Sequence, residues 1–112
     1  MKIRYNIHKE GEIAMLKGIG TRIKELREEH ELTMDMLVQD INSRYELENP
    51  LNKGMVSRWE RDVNNPSLDS ARCLCDYFNV SLDYLIGNTD VRTPVRLMAY
   101  AKKIAEMKEN KQ

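Results

Sequence analysis

Cysteine is scarce in this chain of 112 residues, which contains only Cys73 and Cys75. Residues two apart on a helix point to different faces, so we expect no disulfide bond between these two. Two reduced thiols are typical of a cytoplasmic protein. The two histidines, His8 and His30, lie far from the cysteines in sequence and lack the spacing of metal ligands. The sequence therefore predicts no metal site.

Long apolar runs are also lacking. No stretch reaches the roughly 18 apolar residues of a membrane span, and residues 1–17 lack the apolar core and cleavage site of a secretion signal. The chain has no paired nucleophile and base, no glycine-rich phosphate loop and no metal-ligand spacing. We therefore expect neither enzymatic activity nor a cofactor. A length of 112 residues allows one domain with short extensions.

Net charge is absent too, because 18 basic residues balance 18 acidic ones. The charges are unevenly distributed along the chain. Residues 31–50 carry five acids and one base, residues 67–91 carry four acids and one base, and residues 92–112 carry six bases and two acids. A nucleic-acid-binding protein without excess positive charge must concentrate its basic groups on one face.

The apolar pattern is helical over most of the chain. It predicts helices over about 19–30 and 34–44, a third after Asn52, a fourth after Ser67, a fifth after Ser81 with Gly87 beyond its end, and a sixth over 94–109. Each of Thr33, Asn52, Ser67 and Ser81 is a suitable N-cap, and Asn49-Pro50 places a loop at 43–51. The residues predicted to face inward are Ile19, Ile23, Leu26, Leu37, Ile41, Met55, Val56, Trp59, Leu68, Ala71, Leu74, Cys75, Phe78, Leu82, Leu85 and Ile86, with a further stripe at Leu97, Met98, Ala101, Ile104 and Ala105.

Near the N-terminus, Ile3, Tyr5 and Ile7 alternate with polar residues, which indicates a short strand or an extended arm. A single strand has no obvious partner here, so it carries little weight in the prediction. The fold class predicted is all-α.

Several segments in order resemble one family. They are Ile19-Gly20-Thr21-Arg22-Ile23-Lys24-Glu25-Leu26-Arg27-Glu28-Glu29, Leu32-Thr33, Ser57-Arg58-Trp59-Glu60, Pro66-Ser67 and Val80-Ser81-Leu82-Asp83-Tyr84-Leu85-Ile86-Gly87. Together they are similar to the lambda-repressor and Cro-like (XRE-type) helix-turn-helix regulators over about 19–90. The resemblance implies an N-terminal arm (1–17), a five-helix DNA-binding domain (18–90) and a C-terminal helical segment (91–112).

The resemblance also implies which residues meet DNA. A helix of about nine residues is roughly 13 Å long, so the third helix fits a major groove about 12 Å wide. Lys53, Gly54 and Arg58 would face the bases, and both long side chains suit guanine O6 and N7. Asn52, Ser57 and Arg61 would contact the DNA backbone or flanking bases. The alternative is that the basic residues are merely a solvated helix face.

Arg27 and Glu60 are assigned a different role by the resemblance. In similar domains, an arginine late in the first helix pairs with a glutamate late in the third, which holds the reading helix to the scaffold. Our hypothesis is a partly buried salt bridge, and the alternative is two independent surface charges. Trp59 is interpreted as a core anchor rather than a platform for base stacking.

Three positions depart from the family pattern. Met34 stands where a phosphate-binding glutamine usually opens the second helix, so that contact is in doubt. The turn at 43–51 is about eight residues longer than usual and acidic, so we expect it to point away from phosphates or to contact a partner. Asp62 replaces a glycine, which suggests a differently shaped turn.

The functional hypothesis is a sequence-specific, DNA-binding transcriptional regulator, a phage-type repressor that works as a homodimer on a two-fold operator. The helix at 94–109 is either a dimer element or packs on its own domain, and the arm either wraps DNA through Lys2, Arg4 and Lys9 or is disordered. No segment after Gly87 is long enough for a self-cleaving peptidase domain, so induction would come from an antirepressor, another protein or a ligand. The alternative function is a protein-interaction module of the same fold, which the acidic segment 31–50 favours.

Overall fold

A computed structural model describes residues 5–8, 12–15 and 17–109 of the chain. In this part of the chain, the elements are β1 (Tyr5–His8), β2 (Glu12–Met15), α1 (Ile19–Glu29), α2 (Met34–Arg44), α3 (Lys53–Glu60), α4 (Leu68–Phe78), α5 (Leu82–Leu85) and α6 (Val95–Glu109). The predicted all-α domain is confirmed: five helices form it, and a sixth follows.

The N-terminal strand does have a partner. β1 and β2 pair antiparallel, with Tyr5 opposite Met15 and His8 opposite Glu12. The expectation of a strand without a partner is wrong, because β2 shows no alternation of apolar and polar residues and is defined by its pairing alone. Residues 3 and 4 of the predicted strand lie outside the described residues.

The core is formed by side chains of α1 to α5 and of two connecting segments. Its members, each at most 5% exposed, are Ile23, Leu26, Leu37, Ile41, Leu51, Val56, Trp59, Ala71, Leu74, Phe78, Val80, Tyr84 and Leu85. Burying an aliphatic side chain of this size contributes about 1.5–3 kcal/mol. Trp59 is 3% exposed within this cluster and is a core anchor, as predicted.

All four predicted N-caps are present. The side-chain oxygens of Thr33, Asn52, Ser67 and Ser81 each accept a hydrogen bond from the backbone N–H three residues further on. Such caps typically contribute about 1 kcal/mol each. Gly87 follows α5 with a φ of 87°, a left-handed conformation that suits glycine, and its N–H donates to the carbonyl of Tyr84.

Two apolar residues that were predicted to face inward lie outside instead. Leu68 is 67% exposed and Leu82 is 40% exposed, whereas Tyr84 is buried. Each leucine is the first residue of its helix. Periodicity over a four-residue helix such as α5 does not define a face, so its inward side was not readable from the sequence.

α1 and α3 cross at very short range. A Cβ atom on Gly20 would collide with the backbone carbonyl oxygen of Trp59 and approach the Asp62 carboxylate. The absence of a side chain at Gly20 therefore allows the backbones of the two helices to approach, and this contact sets the position of α3 on the domain.

The segment after α5 packs back on the helices. Both guanidinium nitrogens Nη1 and Nη2 of Arg92 donate to Glu29 at 2.7 Å. The Arg22 guanidinium donates to Asp90 at 2.8 Å and lies over the Tyr84 ring. The domain boundaries at 17/18 and 90/91 stay predictions.

α6 begins at Val95, one residue after the predicted start at Pro94. Its described side chains, Lys102–Glu109, are exposed except for Ile104, which is half-buried. Of the predicted apolar stripe, Ala105 is therefore exposed here. The side chains of Leu97, Met98 and Ala101 lie outside the described ones.

None of the helices in the described ranges combines the length and the apolar character that a bilayer crossing requires. Over the same ranges, histidine, cysteine and carboxylate side chains form no cluster of three or more that is suited to a metal ion.

Candidate nucleic-acid interface

α3 lies at the surface of the domain with one side buried. Val56 and Trp59 face the core and Met55 is half-buried. At 100° per residue, the predicted contact residues of the helix fall in an arc of about 140° on the opposite side. They are exposed or half-exposed: Lys53, Gly54, Ser57, Arg58 and Arg61. The fold thus brings the predicted residues together on one face.

The start of this face is shaped by Gly54. A Cβ atom on Gly54 would lie 3.1 Å from Nη1 of Arg58 and 3.2 Å from Oδ1 of Asn52. The Arg58 side chain therefore runs back along the helix to its first turn, as helical side chains tend to do. Its guanidinium occupies the space that a side chain on Gly54 would fill.

Asn52, a predicted DNA contact, has a structural role in capping α3. Its Oδ1 accepts a hydrogen bond of 2.9 Å from the Met55 N–H. This oxygen caps α3, so the amide nitrogen is the group of Asn52 that remains suited to a phosphate or a base edge.

The basic side chains at the two ends of the face have different neighbours, a carboxylate at one end and a neutral hydroxyl at the other. Nζ of Lys53 lies 4.0 Å from the carboxylate of Asp35, which is in the first turn of α2. At the other end, Nε of Arg61 donates to Oγ of Ser57 at 3.2 Å. Both cations are exposed, so such contacts are easily exchanged for contacts with phosphates.

The hypothesised pair of Arg27 and Glu60 is present. Nε and Nη2 of Arg27 donate to the two carboxylate oxygens of Glu60 at 2.8 and 2.9 Å, and Nη1 donates to the carbonyl of Leu32 at 2.7 Å. The side chains are only 12% and 3% exposed. The hydrogen bonds to Glu60 raise the pKa of Arg27 above its ordinary value. The pair joins the end of α1 to the end of α3.

A second attachment of α3 was not predicted. Asn42, near the end of α2, donates from Nδ2 to the carbonyl of Leu51 and accepts from the Leu51 N–H, both at 2.9 Å. These two bonds fix the residue that precedes the N-cap of α3. The only signal in the sequence is an amide next to the buried Ile41, which does not identify a partner nine residues away.

The long acidic turn is tied to α4 rather than left free. The hydroxyl of Tyr45 donates to Asp76 at 2.7 Å, and the hydroxyl of Tyr77 donates to Asp40 at 2.7 Å. Burial, followed by the bond to Asp76, raises the pKa of Tyr45 to about 12. Among the residues of the turn, Leu47 also packs against the core.

The other two departures from the family pattern have local outcomes. Met34 is partly buried against the core, and its side chain has no hydrogen-bond donor for a phosphate. Asp62 has a φ of 59°, so it adopts the left-handed conformation that a glycine would have. The expectation that this turn is shaped differently from the usual one stays a prediction. Asp and Asn tolerate this conformation better than other side chains.

The predicted DNA contacts of the arm, Lys2, Arg4 and Lys9, lie outside the described residues. The candidate interface therefore consists of α3 and its flanking residues.

Comparison with known proteins agrees with this geometry. A family model described as helix-turn-helix matches residues 23–85, more than half of the chain. An uncharacterized HTH-type transcriptional regulator of Bacillus subtilis (strain 168), YobD, is 32% identical over 73 residues, which cover 65% of this chain and 58% of the relative. The HTH-type transcriptional regulator ImmR of the same organism is 30% identical over 74 residues, which cover 66% of this chain and 52% of the relative. The matched region thus spans between half and three fifths of each relative. The chain belongs to the XRE-type helix-turn-helix family.

Proposed function

We propose that this chain is a sequence-specific DNA-binding transcriptional regulator that acts by binding and not by catalysis. The observation that carries the proposal is the arc of Lys53, Gly54, Ser57, Arg58 and Arg61 on a capped surface helix. The two relatives are both named as HTH-type transcriptional regulators, which supports the same function.

α3 enters the major groove in this proposal. Lys53 and Arg58 donate to guanine O6 and N7, and Gly54 lets the helix start approach the bases. Arg61, Ser57 and the amide of Asn52 bind phosphates or flanking bases, which positions the helix without reading sequence. The salt bridge between Arg27 and Glu60 fixes the C-terminal end of α3 to α1.

The finer proposal is a phage-type repressor that binds as a homodimer to two half-sites about one helical turn apart. A repressor of this kind excludes the polymerase by occupying an operator. Selection of bound sequences from a random DNA pool tests the symmetry. Recovered sites with two inverted half-sites support a dimer, and recovered sites with a single half-site contradict it.

Binding to labelled duplex DNA, measured by fluorescence anisotropy over a range of salt concentrations, tests the DNA function. We expect affinity to fall steeply with salt. We expect Arg58→Ala to lose about 1–3 kcal/mol on the selected site and to relax its specificity, and Arg61→Ala to weaken selected and random DNA alike. Lys24→Ala, on α1 and outside the arc, is the matched control. A protein that stays folded but binds no duplex at low salt contradicts the proposal.

A second function, a protein-interaction module of the same fold, is favoured by one observation. The turn at 45–48 lines an acidic concave surface together with α4 and α5. This surface is compatible with DNA binding by α3, because none of the arc residues lines it.

A further inference from the structure

A groove of about 780 Å³ lies on the domain between the long turn, α4 and the start of α5. We name it the acidic groove and define it by its charged and apolar lining. Among the side chains that the structure describes, the charged lining residues are Glu46, Glu48, Asp69, Asp76 and Asp83, with Arg72 as the one base. The apolar residues include Leu47, Val80, Leu82 and Pro94.

The composition of the acidic groove excludes it from the DNA interface. Five carboxylates outweigh one guanidinium, so the groove repels phosphates. Its apolar floor also offers no hydrogen-bond donor to a phosphate. Leu82 in the groove is 40% exposed, whereas Tyr84 and Leu85 of the same helix are buried. A surface with an apolar floor and acidic walls suits a helix with an apolar stripe and basic flanks.

α6 has the complementary composition. Its described half carries Lys102, Lys103 and Lys108 against Glu106 and Glu109, so its net charge is 3 − 2 = +1. The sequence pattern gives the helix an apolar stripe. In its own chain this half is exposed except for the half-buried Ile104, with Met107 54% exposed, and none of Lys102–Glu109 lines the acidic groove. Pro94 lines the groove and α6 begins at the next residue, so the helix starts at the edge of the groove. Its C-terminal half lies outside the groove of its own chain.

We propose that the acidic groove binds α6 of a second copy of this chain, and that the second copy receives the first α6 in return. The inference rests on the homodimer of the proposed function and names its interface. A two-fold arrangement makes both contacts identical, so each dimer contains two helix-in-groove contacts. A 15-residue helix is about 22 Å long, which is enough to follow a groove of this kind.

Charge reversal tests this interface in the full-length protein. The groove variant carries Glu46→Lys and Glu48→Lys, both at exposed positions, and the helix variant carries Lys102→Glu and Lys108→Glu. Each variant alone places like charges in both contacts of its own dimer. We expect its dimerisation, measured by analytical ultracentrifugation, to weaken on the order of tenfold or more.

Mixing the two variants gives the sharper measurement. In a mixed dimer, a lysine-bearing groove meets a glutamate-bearing helix, and the other contact keeps its original charges. We therefore expect the 1:1 mixture to dimerise as the unmodified protein does. Lys103→Glu is the matched control, because at 100° per residue it lies on the side of α6 away from the apolar stripe. We expect it to leave dimerisation unchanged.

Two results with the variants overturn the inference. One is a groove or helix variant that dimerises normally, and the other is a mixture that stays monomeric. Circular dichroism checks that each variant is folded, and the single Glu48→Lys variant replaces the double one if the latter unfolds. An unmodified protein that is monomeric at the concentrations where it binds DNA also overturns the inference and leaves the DNA function intact. Loss of DNA binding by an intact dimer overturns the proposed function alone.

Discussion

At the scale of single residues, Gly54 is the most specific feature of the candidate interface. A Cβ atom here would lie 3.1 Å from the Arg58 guanidinium. We expect Gly54→Ala to displace that guanidinium and weaken DNA binding. Alanine at an exposed helical position also stabilises the helix by up to about 1 kcal/mol relative to glycine. Thermal melting and DNA titration should thus move in opposite directions.

A double-mutant cycle separates this effect from a general disturbance. In the Arg58→Ala background, the Gly54→Ala change should cost less affinity than in the unmodified protein, because the group it displaces is gone. Equal losses of affinity in both backgrounds would show that Gly54 acts on DNA directly and not through Arg58.

The pair of Arg27 and Glu60 differs from the pair of Arg92 and Glu29 mainly in burial. The first is 12% and 3% exposed, and the second is 47% and 44% exposed. Removing one charge of a buried pair strands the other, so we expect Glu60→Gln to cost up to about 3 kcal/mol of stability and to weaken DNA binding. The exposed counterpart, Glu29→Gln, should cost less than about 1 kcal/mol. Urea unfolding measures both, and equal costs would contradict the structural role of Glu60.

The residue scale also shows where prediction from sequence succeeds. Thr33, Asn52, Ser67 and Ser81 act on a backbone N–H three residues away, so their roles follow from local chemistry. Asn42 acts on Leu51 across the long turn. Nothing local specifies that partner, and the role emerges only after α2 and the turn have packed together.

At the scale of elements, the position of α3 depends on what precedes it. The N–H and C=O of Leu51 are both paired with the Asn42 amide. We expect Asn42→Ala to leave these two groups unpaired at a buried residue, at a cost of about 1–3 kcal/mol. Because the start of α3 would then be less fixed, DNA affinity should fall as well.

Asn49→Ala is the control for that change, because Asn49 lies in the turn between Asn42 and Leu51 and is exposed. Asn42→Asp tests the geometry further. A carboxylate can accept from the Leu51 N–H but cannot donate to its carbonyl, so the loss of stability should again be clear. If Asn42→Ala behaved like Asn49→Ala in both unfolding and DNA titration, α3 would not depend on this contact.

The length of a helix decides how much of its packing the sequence reveals. α1, α2 and α4 each have 11 residues, and their periodicity correctly gave the buried Ile23, Leu37 and Leu74. α5 has four residues, and its inward side includes Tyr84 and excludes Leu82. Tyr84 is buried with the guanidinium of Arg22 over its ring, a tertiary contact that periodicity does not contain.

At the scale of the whole molecule, balanced net charge conceals two surfaces of opposite character. The counts of acids along the chain indicated acidic segments at 31–50 and 67–91. They did not indicate that Glu46, Asp76 and Asp83 would line one groove, because these residues meet only through tertiary packing. The basic arc of α3 was predictable because all of its residues lie on one helix.

The hydrogen bond from Tyr45 in the long turn to Asp76 in α4 makes the stability of the whole domain sensitive to alkaline pH. The pKa of Tyr45 is raised to about 12 by burial and by its bond to Asp76, whereas an unfolded tyrosine has a pKa of about 10. The folded state therefore holds this proton more tightly. The stabilisation is fully present below about pH 10 and is lost as the pH rises toward about 12.

We expect the free energy of unfolding to decline over that window and Tyr45→Phe to flatten part of the decline. Urea titrations between pH 8 and 12, followed through the fluorescence of Trp59, the sole tryptophan, measure the effect. Tyr77→Phe should flatten a further part, because burial and the bond to Asp40 raise the pKa of Tyr77 as well. An unchanged alkaline decline in both variants would show that these hydroxyls do not carry it.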